Sequence, residues 1–166
     1  MRMPESLAAR HTYARLLVAK GNGPEAENQW LEILAMVPDD EGALAPLVER
    51  RLREGEISQA IRLMEDAFAT NPRSAANNSR LVRLFDPAVT PEKCAVYLTA
   101  LTESGPVPPT VHLQLADVLN RLGRPEESLV ALYGARDAAA AAGEADLRQK
   151  IEARIHSGGS LSGDSL

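Results

Sequence analysis

A single cysteine, Cys94, and three histidines, His11, His112 and His156, are the only thiol and imidazole groups in this chain of 166 residues. A thiol becomes reactive beside an imidazole or a guanidinium, and no His or Arg adjoins Cys94 in sequence. The histidines are scattered, without the spacing at which a helix or turn presents two ligands to a metal. One cysteine rules out an internal disulfide and any multi-cysteine metal site. No Gly-x-Ser-x-Gly elbow occurs, and each pair or triplet of glycines closes a helix turn or lies near the C-terminus, so none forms a phosphate loop. These residues argue against an enzyme: no catalytic group, no metal and no cofactor is expected.

Composition narrows the class further. A hydrophobic content of 45% is enough for a packed core, while only 4% of residues are aromatic. That core must be built from Leu, Ala, Val and Ile, which favours helices. A net charge of -5, a pI near 5.3 and an even spread of charge leave no electrostatic footprint for nucleic acid. No stretch approaches a membrane span, and MRMPESLAARHTY lacks the apolar run of a signal peptide. A cytoplasmic protein with no membrane partner is the expectation.

The elements that must position any site follow from one interval. Gly21, Gly55 and Gly123 recur at 34 residues or a multiple of it, as do Ala26 with Ala60 and Pro38 with Pro72 and Pro106. A period of that size means stacked repeats. Four units result, at about residues 7–40, 41–74, 75–108 and 109–142, each reading as two amphipathic helices around a turn. In the first, Leu7, Tyr13, Ala14, Leu17 and Val18 share a face, and Ala26, Trp30, Ile33 and Leu34 form the next. In the second, Leu44, Leu47, Val48 and Leu52 precede Ala60, Ile61, Met64, Ala67 and Phe68, and Ser74 is placed to cap the following helix.

The third unit is irregular. Leu81, Val82, Leu84 and Phe85 begin a helix that Asp86-Pro87 cuts short, and Thr90-Pro91 restarts one with a capping residue before proline. Cys94, Tyr97, Leu98 and Leu101 form its face. The fourth unit carries Leu115, Ala116, Leu119 and Leu122, then Leu129, Leu132 and Ala135. Residues 144–156 form one more helix, with Leu147, Ile151 and Ile155, suited to cap the last exposed face over Leu129 and Leu132. SGGSLSGDSL, residues 157–166, reads as a flexible tail. Residues 1–156 are expected to make one domain.

This pattern resembles the tetratricopeptide-repeat (TPR) family over about residues 7–142. With the family's closing proline on Pro38, Pro72 and Pro106, the small eighth place reads Ala14, Val48, Val82 and Ala116. The small twentieth place reads Ala26, Ala60, Cys94 and Ser128, and large residues stand opposite at Trp30, Met64, Leu98 and Leu132. The chain departs from the family at the fourth place, usually aromatic, which reads Arg10, Leu44, Asn78 and His112. It also lacks a turn glycine in unit three, where Val89 stands, and a closing proline in unit four, where Ala140 stands.

The resemblance implies an all-α solenoid of antiparallel helix pairs, a right-handed TPR superhelix with a C-terminal capping helix. It also implies a concave groove lined by the first helix of each unit. Groove residues would be His11 at the fifth place, Arg15, Glu49, Arg83 and Asp117 in a row at the ninth, and Arg53 and Arg121 at the thirteenth. A groove bend is expected at Asp86-Pro87. The family's clamp for a C-terminal carboxylate, as in heat-shock co-chaperones, needs a Lys and an Asn where the first unit has His11 and Arg15, so that activity is not implied. The function to expect is a protein-interaction scaffold for a partner peptide or helix. The alternative is a structural or chaperone-like assembly component that self-associates, as a homo-oligomer, or serves partner secretion.

Overall fold

The structure, a computed structural model, describes residues 6–157. Among them are nine helices and no strand. The first helices of the repeats, α1 (Leu7–Ala19), α3 (Glu41–Arg53), α5 (Ala75–Val82) and α7 (Pro109–Arg121), begin 34 residues apart. So do the second helices, α2 (Gly23–Met36), α4 (Ile57–Thr70), α6 (Pro91–Glu103) and α8 (Pro125–Ala142). The last helix is α9 (Ala145–His156). The interval read from a few glycines, alanines and prolines is therefore the interval of the helices themselves. The tail beyond Ser157 lies outside the described residues.

The turns explain the glycines. Gly21, Gly55 and Gly123 have φ of 78°, 77° and 69°, a region closed to most side chains. At each, the following N–H reaches back over the helix end: Asn22 to the Leu17 carbonyl at 2.9 Å, Glu56 to Arg51 at 2.8 Å, and Arg124 to Leu119 at 2.9 Å. This closure satisfies carbonyls that the helix end leaves without donors. Unit three has no such glycine and closes differently. α5 stops at Val82, four residues before Asp86, so Leu84 and Phe85 are not helical as expected. Asp86 then organises the connection: its Oδ1 accepts from Ala88 N–H at 2.8 Å, and its carbonyl from the Thr90 hydroxyl at 3.1 Å. The Thr90 hydroxyl is thereby engaged and does not cap α6.

The chain falls into two compact units, one ending at Leu84 and one beginning at Phe85. In the first, each helix from α1 to α5 packs on its predecessor. Its core holds Ala14, Leu17, Ala26, Trp30, Ile33, Ala43 and Leu47. Ser74 caps α5 as expected, accepting from Asn77 N–H at 3.3 Å, and Asp40 caps α3 through Ala43 N–H at 2.9 Å. Val18 and Leu52, read as core residues, are exposed instead, at 51% and 39%. In the second unit α6 to α9 pack in sequence, and Ile151 of α9 sits on Ala135 and Ala139 with Leu113 beside them. The cap therefore rests on the alanines further along α8 and on α7.

The small twentieth places are closed: Ala26, Ala60 and Ser128 are fully buried and Cys94 nearly so. Ser128 keeps its hydroxyl satisfied there by donating to the Ala116 carbonyl at 2.8 Å. Two of the polar fourth-place residues, Arg10 and Asn78, also have partners. Arg10 pairs with Glu32 and donates to buried Gln29 at 3.3 Å, and the fully buried Asn78 donates to the Pro72 carbonyl at 2.7 Å. The Arg10 bonds join α1 to α2, while the Asn78 bond ties α5 to the turn before it.

Candidate interaction surface

Two open grooves run between first helices of the first unit. One, of about 650 Å³, lies between α1 and the start of α3 and is lined by His11, Arg15, Val18, Gly42 and Pro46, with Trp30 at its base. The other, of about 460 Å³, lies between α3 and α5 and is lined by Val48, Glu49, Leu52, Arg80, Arg83 and Leu84, among others. Helical spacing accounts for both, because residues three and four apart on α3 or α5 emerge on one face.

In the first groove His11 is half-buried and not free. Its Nε2 lies 3.2 Å from the Asp40 carboxylate, and its ring lies so close to Gly42 that a Cβ there would sit 2.8 Å from Cε1. Asp40 already caps α3, so one carboxylate fixes both a helix start and an imidazole. Pro46, inside α3, has no N–H to return to the Gly42 carbonyl four residues before it. Arg15 is exposed on the same groove with no ion-pair partner among the described residues. Glu49 and Arg83 are likewise exposed and unpaired among the described residues, and they share the second groove.

The other expected site residues go elsewhere. Arg53 and Arg121 are exposed but line neither groove. Asp117 is taken up within the second unit, where Arg154 of α9 donates to its Oδ1 at 2.6 Å. Its charge is thus paired within the fold. Arg80, Gly42 and Pro46 belong to the grooves yet were not among the expected residues. Arg80 could have been found from its place three residues before Arg83, on the same face of α5.

The thiol and imidazole groups have local structural roles. Burial pushes the Cys94 thiol up; the Thr90 hydrogen bond offsets this in part and the Asp86 charge adds to it. A thiol held protonated is a poor nucleophile. His112 is pulled down by desolvation against α8. Among the described residues no three His, Cys, Asp or Glu side chains converge to hold a metal ion, and no helix is long and apolar enough to cross a membrane.

Comparison with known proteins adds the fold. No family model matches the chain, and no curated protein matches it. Solved structures do. MamA 41-end from Desulfovibrio magneticus RS-1 is 14% identical with a TM-score of 0.53, over 99% of this chain and 100% of that one. A crystal structure of MamA protein is 14% identical with a TM-score of 0.54, over 94% and 91%. A MamA RS-1 double mutant is 11% identical with a TM-score of 0.54, over 98% and 100%. The chain thus has an all-helical, TPR-like solenoid fold of the MamA kind.

Proposed function

We propose that this chain is a non-enzymatic protein-interaction scaffold that holds a partner peptide or helix against its first-helix faces. The observation that carries the reading is the groove between α3 and α5, where Glu49 and Arg83 stand exposed, and unpaired among the described residues, over an apolar floor. Charges that pair with nothing in their own fold add little to stability, about 0–1 kcal/mol, yet they are well placed to select a partner. Repeat units that bury only their packing faces leave such grooves free for ligands. We read the four units and α9 as one interaction domain over residues 1–156, with a protein as its partner.

Affinity capture with the immobilised full chain tests this reading. A specific protein should be retained at low salt and released as salt is raised, because screening weakens exposed charge pairs. Retention of nothing above the level of a blank support would contradict it. A second reading, assembly through self-association, is favoured by Val130 and Tyr133 of α8, which are 70% and 40% exposed. Light scattering across a concentration series decides between the two. A monomer at every concentration supports the adaptor, and growth with concentration supports the assembly component.

A further inference from the structure

We propose that the groove between α3 and α5 recognises an acidic side chain next to an aliphatic one, within an internal segment of a partner protein. The inference rests on the scaffold reading and assigns the chemistry of its ligand. The groove carries two guanidinium groups, Arg80 and Arg83, against one carboxylate, Glu49. Arg83 stands at the C-cap of α5, where the helix dipole favours a cation. Arg80, one turn earlier, lines the same groove, so a carboxylate entering there would meet two guanidinium groups.

The rest of the lining sets what accompanies that carboxylate. Val48, Leu52 and Leu84 supply apolar surface beside the arginines, enough to seat an aliphatic side chain, and Ser79 is the one neutral polar residue of the lining. Glu49, on the α3 side, repels a run of acidic residues and so restricts the acid to the Arg80 and Arg83 side. Charge complementarity therefore selects one acidic residue with an aliphatic neighbour over a basic, neutral or polyacidic segment.

The test is selection of random peptides, displayed without a free C-terminus, on the immobilised full chain. The best peptide is then measured by fluorescence anisotropy. Enriched peptides should share an Asp or Glu beside Leu, Ile or Val, and exchanging that acid for lysine should abolish binding. Arg83→Glu should weaken the peptide about tenfold or more, as expected for a lost charge-assisted hydrogen bond. Arg62→Glu, on the exposed face of α4, should leave it unchanged. Arg80→Met should weaken it as well; if that variant does not fold, the exposed Arg83 position carries the test alone. Enriched peptides without an acid, or equal binding to parent and Arg83→Glu, would overturn this inference and leave the scaffold reading intact. A library that yields no binder would overturn both.

Discussion

His112 stands at the fourth place of unit four, and its ring fills the space that Gly134 leaves open on α8. A Cβ at Gly134 would lie 2.7 Å from His112 Nδ1 and 3.3 Å from Cγ, so the whole ring would have to move. Gly134→Ala gains about 0.8–1 kcal/mol of helix propensity but overpacks at about 1–3 kcal/mol. Urea unfolding should show a net loss of about 1 kcal/mol, and the same change should become stabilising in a His112→Ala background. A stabilised single variant would contradict the packing described. Because desolvation lowers the His112 pKa in the fold, the unfolded chain binds the proton more readily. Its contribution is present above the ordinary value of about 6.5 and is lost as pH falls through the lower folded pKa. Stability measured from pH 8 down to 5 should fall less steeply in His112→Asn than in the parent. At this scale the sequence was readable wherever packing alone decides, as at Ala26, Cys94 and Leu132. Gly134 and Arg80 were missed because their roles depend on a neighbouring helix, and no spacing within one helix reports that.

Among the elements, α9 and the glycine turns carry the most specific consequences. Ile151 is 2% exposed, so Ile151→Ala should cost roughly 2–4 kcal/mol by thermal or urea unfolding. Asp117→Asn, which removes the partly exposed pair with Arg154, should cost less than about 1 kcal/mol. A silent Ile151→Ala would show that α9 does not cap the second unit. Gly55→Ala meets no neighbouring atom, yet it places a side chain at φ 77° and should cost about 1–2 kcal/mol from backbone strain alone. The helices and their register were legible because close packing repeats the same residue sizes every 34 positions. The end of α5 was not. Proline forbids helix only in its immediate vicinity, whereas here the chain already leaves the helix at Arg83, with Asp86 supplying the hydrogen bonds that follow.

For the whole molecule, the reading of residues 1–156 as one domain predicts a single cooperative transition. Trp30 is the only tryptophan and lies in the part ending at Leu84, so its fluorescence reports that part while circular dichroism reports all helices. Coincident midpoints support one domain; separate midpoints would divide the chain where unit three lacks its turn glycine. The central claim is that the free charges on the first-helix faces choose the partner and do not hold the fold. The most direct measurement compares two double charge reversals of equal sign and size, Arg15→Glu with Arg83→Glu in the grooves, and Arg62→Glu with Arg73→Glu away from them. Both variants should melt within about 1 kcal/mol of the parent. Only the groove variant should fail to retain the captured partner. Equal loss from both, or loss from the control alone, would contradict the account and place the binding surface elsewhere.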